Sequence, residues 1–142
     1  MKINLLVLSL FLFKYSFSQI NVNDIGKKTF YEVKNAFSVS PCEVKDKAVL
    51  TDCIENGSRN AFIFTNQVLD GIIIMTAFSS QYAAEKDLEY EISRETSSLG
   101  IKPFITGGKT FFSTPESPIF VTYSVEYINR TYYMVHSILK QL

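Results

Sequence analysis

Residues 119 to 127, Ile-Phe-Val-Thr-Tyr-Ser-Val-Glu-Tyr, alternate an apolar set (Ile119, Val121, Tyr123, Val125, Tyr127) with a mixed one (Phe120, Thr122, Ser124, Glu126). A period of two is that of a strand with one face buried, so this segment predicts a half-buried antiparallel strand. A turn at Asn129-Arg130 returns the chain as Thr-Tyr-Tyr-Met-Val-His-Ser-Ile-Leu-Lys. If that turn is tight, Tyr127 faces Tyr132, Val125 faces Met134, Tyr123 faces His136 and Val121 faces Ile138. Upstream, apolar runs flank Asp70-Gly71, which predicts strands over 61–69 and 72–78, with a turn at Asn66-Gln67 as the alternative. Ile72 to Met75 are apolar in succession, the pattern of a central strand covered on both faces. Gly107-Gly108 between apolar runs predicts a further hairpin, and Pro115 and Pro118 bound the connection after it.

Two segments carry the helical period instead. Thr29 followed by Glu32 forms a capping box, and Phe30, Val33 and Phe37 then share one face, with Pro41 beyond its end. Ser79 or Ser80 caps a longer helix running to about Ser98, with Gly100 suited to a left-handed stop. Ala84, Leu88, Ile92 and Leu99 form its apolar stripe, while Glu85, Asp87, Glu89, Glu91 and Glu95 outnumber Lys86 and Arg94 on the remaining surface. The expected fold is α+β: two helices packed on a mainly antiparallel sheet of five to seven strands. No internal repeat or linker is visible.

The first 18 residues read differently. Lys2 precedes an apolar run from Leu5 to Phe13, and Ser16 and Ser18 follow at small-residue spacing, which predicts a secretory signal peptide cleaved after Ser18. Lys14 interrupts the run well short of the roughly 20 apolar residues a membrane span needs. Residues 19–142 are then a single globular domain, exported to the periplasm or secreted, with no membrane span in the mature chain. Of 14 basic residues the leader holds Lys2 and Lys14, leaving 12 against 14 acidic, a net charge of −2. That balance argues against nucleic acid as a partner, which demands a concentrated positive field.

Export changes the reading of the two cysteines, Cys42 and Cys53. In an oxidising compartment they are each other's only intramolecular partner, and a turn near Asp46-Lys47 lets the ends approach, so a structural disulfide is predicted. Their spacing excludes a C-x-x-C redox motif, and one histidine with two such cysteines matches no zinc pattern. No cofactor is implied.

His136 is the only histidine. No nucleophile elbow accompanies it, and Ser124 points to the strand face opposite Tyr123, so a catalytic triad lacks its serine. Tyr123, Tyr127, Tyr132 and Tyr133, with Phe120, are candidates for an aromatic binding surface. The candidate site is therefore Tyr123, Tyr127, Tyr132 and His136, with no catalytic or metal-ligating residue assigned.

Gly26, Lys27, Thr29, Glu32 and Val33, in the phrase Ile-Gly-Lys-Lys-Thr-Phe-Tyr-Glu-Val, followed by the 62–72 segment, resemble the opening of small exported envelope proteins. Those include proteins with a β-lactamase-inhibitor-protein-like or outer-membrane-assembly-lipoprotein-like fold. The leader's Ser-x-Ser, Gln junction likewise resembles exported proteins of the Bacteroidetes. The chain departs from the lipoproteins by lacking their lipid-bearing cysteine and by placing a long helix after the hairpin. The resemblance implies interaction with another envelope or extracellular protein rather than catalysis. The expected function is thus an exported, non-enzymatic binding or protein-interaction domain. The competing reading is a small hydrolase or ligand-pocket protein using His136 and neighbouring tyrosines.

Overall fold

The computed structural model describes residues 20–36, 42–53 and 57–141; the expected leader, Phe37 and Pro41 lie outside these. Its eight strands are β1 (Glu43–Lys45), β2 (Val49–Cys53), β3 (Arg59–Thr65), β4 (Val68–Phe78), β5 (Phe104–Thr106), β6 (Lys109–Phe112), β7 (Ile119–Ile128) and β8 (Thr131–Lys140). Helix α1 (Phe30–Asn35) precedes β1, helix α2 (Gln81–Leu99) joins β4 to β5, and a single 3₁₀ turn, Val22–Asp24, lies before α1. The strands form one antiparallel sheet in the order β1-β2-β3-β4-β8-β7-β6-β5. The α+β class holds, and the strand number exceeds the expected five to seven. The excess comes from the cysteine segment, whose short β1–β2 hairpin carries little apolar alternation.

Both caps form as their residues require. The Thr29 hydroxyl accepts from the Glu32 N–H at 3.3 Å, while the Glu32 carboxylate accepts from the Thr29 N–H at 2.7 Å. Ser80 Oγ accepts from the Ala83 N–H at 3.2 Å, and Gly100 closes α2 at φ +65°. Cys42 and Cys53 are joined, stapling the base of the β1–β2 hairpin around Asp46 and Lys47, both at positive φ.

The turn expected at Asp70-Gly71 is instead at Asn66-Gln67, where both residues take positive φ, the pair of left-handed conformations that a tight hairpin needs. Asp70 and Gly71 lie inside β4, at a bulge where the β3–β4 register shifts between Ile63 and Phe64. The bulge has a packing consequence: Leu69 and Ile72, an odd number of residues apart, both reach the core. Gly71 is needed there for space rather than for φ, since a Cβ would come within 2.4 Å of Leu139 Cδ2.

The β7–β8 register is the expected one, with Tyr127 opposite Tyr132, Val125 opposite Met134, Tyr123 opposite His136 and Val121 opposite Ile138. Following the pairings outward, Leu50, Phe62, Ile72, Ile138, Val121 and Phe112 form one row across six strands, and all six are buried. This row is the floor of the core. Phe30 and Val33 of α1 close it over β2–β4, and Leu88, Ile92 and Leu99 of α2 close it over β6–β8. Both helices therefore lie on the same face.

A duplication of architecture, invisible in the sequence, follows from the topology. Each half is a helix followed by a four-stranded meander, and the halves meet at the antiparallel β4–β8 pair. Equivalent turns, Asp46-Lys47 with Gly107-Gly108 and Asn66-Gln67 with Asn129-Arg130, lie 61 and 63 residues apart, and all take positive φ. An approximate two-fold axis thus runs through the sheet between β4 and β8.

Candidate functional site

Alternation along β7 and β8 places Tyr123 and His136 on the helix-covered face, where they stack with ring centroids 4.3 Å apart. Both are buried. The Tyr123 hydroxyl donates to Glu95 of α2 at 2.9 Å, and Glu95 is itself only 4% exposed. Glu95 was expected on the acidic outer surface; it turns inward instead. The signal was present, because position 95 lies three after Ile92 and four before Leu99, inside the same apolar stripe.

The electrostatics of this cluster follow from burial. Desolvation raises the Glu95 carboxyl above its ordinary range, opposed by the Tyr123 hydrogen bond and the Arg94 charge. Desolvation, then the Glu95 charge, push the Tyr123 phenol far up, so it remains a donor. Desolvation, with a smaller contribution from Arg94, pushes the His136 imidazole down to about 3. Its Nε2 is buried without a hydrogen-bond partner. A neutral imidazole sealed beneath a helix has the chemistry of a core residue, not of a general base within reach of substrate.

Tyr127 and Tyr132 sit apart from this pair, at the β7–β8 hairpin end, with ring centroids 4.5 Å apart and Tyr127 61% exposed. The four candidate residues therefore divide into a buried pair and a surface pair. Tyr133 points to the other face and donates to the Gly57 carbonyl at 3.4 Å. Ser124 is on that other face too, donating to Glu126 at 2.9 Å. A cleft of about 340 Å³ opens between the 3₁₀ turn and the end of β7, lined by residues including Val22, Ile25, Lys27, Ile119 and Lys140. None of the four candidates lines it. Among the described residues, no group of three or more His, Cys, Asp or Glu side chains could hold a metal ion. Nor is any described helix long and apolar enough to cross a membrane.

The face opposite the helices carries a different set. One register row runs Glu43, Thr51, Ala61, Ile73, Ser137, Thr122, Phe111 and Phe104, through all eight strands. Beside it lie Val49, Ile63, Gly71, Leu139 and Phe120, and on its other side Arg59, Met75, Val135 and Ser124. Among the described residues no helix crosses this face. Ile73 and Met75, expected to be covered, are partly exposed on it, as Ile74 is on the helix side, where Ile72 is buried. Phe104, Phe111 and Phe120 stack across β5, β6 and β7 with centroid separations of 5.0 and 6.5 Å, and Phe104 is 58% exposed. Of this ladder the sequence reading singled out Phe120 alone. Comparison of the chain with family models, with curated proteins and with solved structures finds no match.

Proposed function

We propose that this protein is an exported, non-enzymatic protein-interaction domain whose binding surface is the uncovered face of the sheet. The observation that carries the proposal is the Phe104, Phe111 and Phe120 ladder on the sheet face that no described helix crosses, with Phe104 58% exposed. A contiguous, exposed aromatic patch is the usual mark of an interaction site. The disulfide supports an oxidising location. The hydrolase reading loses its base, because His136 is buried and stacked on Tyr123.

The test has two arms. Cell fractionation with mass spectrometry of the N-terminus is expected to find an exported chain beginning at Gln19. Crosslinking of that chain in intact cells is expected to give a specific adduct that Phe111→Ser abolishes while leaving the fold intact. Retention of the chain in the cytoplasm, or an adduct pattern indifferent to Phe111→Ser, would count against the reading.

A further inference from the structure

Away from the uncovered face, and independently of that reading, we infer that the cleft between the 3₁₀ turn and the Ile119 end of β7 binds a small amphiphilic anion, a carboxylate carried on a compact apolar chain. Its floor is apolar. Val22 and Ile119 are buried members of the core cluster beneath α2, Ile25 packs against the same cluster, and Pro118 completes the lining at the start of β7. The volume of about 340 Å³ lies at the low end of the roughly 300–1,000 Å³ typical of small-molecule pockets, which suits one short chain and not a two-chain lipid.

Charge selects the head group. Lys27 and Lys140 line the cleft, and no Asp or Glu does. Lys140 is the cross-strand partner of Ile119, so its Cβ stands about 5 Å from that of a floor residue and its methylene stem extends the apolar lining while the ammonium stays at the rim. Lys27 comes from the turn side of the cleft. Both lysines are exposed, and neither ammonium has an ion-pair partner among the described residues. Asp24, the acid within the same turn, is engaged in its own capping box, accepting from the Asn21 N–H at 2.8 Å. Two cations at the rim of an apolar floor complement a negative head on an apolar body, whereas an amphiphilic cation would meet like charge.

The cleft is also built before any ligand arrives. The chain leaving the turn is strapped to β4, the Gly26 N–H donating to the Leu69 carbonyl at 2.7 Å and the Leu69 N–H to the Lys28 carbonyl at 2.8 Å. On the sheet side the Gln141 N–H donates to the Pro118 carbonyl at 2.8 Å, fixing the start of β7 against the end of β8. Walls already held by backbone hydrogen bonds lose little further freedom on binding, so ordering them detracts little from affinity.

Nuclear magnetic resonance titration of the ¹⁵N-labelled chain, expressed from its full sequence with the disulfide intact, tests the inference with octanoate as the probe. Saturable amide shifts are expected at 22–27, 118–119 and 139–141, with a dissociation constant on the order of 1 mM for a ligand of this size. Acetate, the head group without the chain, and octylamine, the chain with the opposite charge, should each bind about tenfold more weakly or worse. Lys27→Glu combined with Lys140→Glu should weaken octanoate binding about tenfold while leaving the amide positions of Leu50 and Tyr123 unchanged, and the milder Lys27→Gln with Lys140→Gln should fall between that variant and wild type. Absence of saturable shifts up to about 20 mM octanoate overturns the inference. So do shifts centred on Phe104, Phe111 and Phe120 instead of the cleft, octylamine binding as tightly as octanoate, or lysine variants that bind octanoate like wild type.

Discussion

His136 gives the sharpest quantitative consequence of this fold. Its imidazole is sealed between Tyr123 and the underside of α2, with Nε2 unpartnered. Burial holds it neutral in the folded state, with its pKa pushed from 6.5 down to about 3, whereas the unfolded chain titrates it normally. The unfolded state therefore binds the proton first. The stability that His136 contributes as a neutral group is present above the unfolded pKa of about 6.5 and is lost as pH falls toward the folded value. Each pH unit within that window costs at most about 1.4 kcal/mol, so near pH 4.5 the loss is roughly 3 kcal/mol, and on the order of 5 for the whole shift. Against a total of about 5–15 kcal/mol for a domain, one side chain can make this fold acid-labile.

Other groups titrate in the same range, and their signs differ. Glu95 and Asp52 have raised folded-state pKa values through desolvation, so each becomes protonated more readily in the folded chain and offsets the His136 loss as pH falls. Glu32, held low by its bonds to Thr29, works the other way, weakening the α1 cap on acidification. The variant His136→Phe separates these effects, because it preserves the stacked ring and removes the only imidazole. Urea unfolding at about pH 7 and about pH 4.5 should show the wild type losing roughly 3 kcal/mol more than the variant between the two. At neutral pH the variant should be at least as stable as wild type, since it no longer buries an unsatisfied nitrogen, an arrangement that costs about 1–3 kcal/mol. Parallel pH dependences for the two proteins would refute the reasoning.

Three further outcomes follow from local packing. Replacing Cys42 and Cys53 by serine should cost about 3 kcal/mol, the loop-closure term for a link between residues 11 apart, measured by chemical unfolding and reproduced by adding reductant to wild type. Gly71→Ala should destabilise by about 1–3 kcal/mol because its Cβ collides with Leu139, and Leu139→Ala in the same chain should recover part of that loss; additive costs would show that the collision is not the cause. Tyr123→Phe leaves the buried Glu95 carboxylate without its donor and should lower stability by roughly 1–3 kcal/mol at neutral pH, the deficit shrinking on acidification as Glu95 is protonated.

The parts of the fold legible in the sequence are those where one residue type has one local solution. Thr29 with Glu32, Ser80, Gly100 and Gly107-Gly108 specify caps and turns by short-range chemistry, and each occurs where its residues require it. The β7–β8 register was legible because a tight turn at Asn129-Arg130 leaves a single pairing for ten residues. Asp70-Gly71 misleads for an equally physical reason. A glycine that permits a tight turn also permits a bulge and the close approach of Leu139, and only the neighbouring strand decides between them. Glu95 misleads because a charged residue in an apolar stripe is assigned to water unless its partner is known, and Tyr123 lies 28 residues away.

The uncovered face was the least legible feature, although its residues were in view. Alternation identifies which side chains share a face of one strand; it does not say which face of the assembled sheet the helices will cover. Ile72 to Met75 read as buried on both sides because nothing within that segment distinguishes Ile72, at the core, from Ile73, on the uncovered face. The distinction is made by α1 and α2, which pack on the same side, each standing before the four-stranded meander of its own half of the duplicated architecture. A single helix-plus-meander half would leave one face bare in the same way. Joining two halves through β4 and β8 continues that helix-free face across all eight strands. The architecture that makes the core continuous thus also produces the surface proposed to bind.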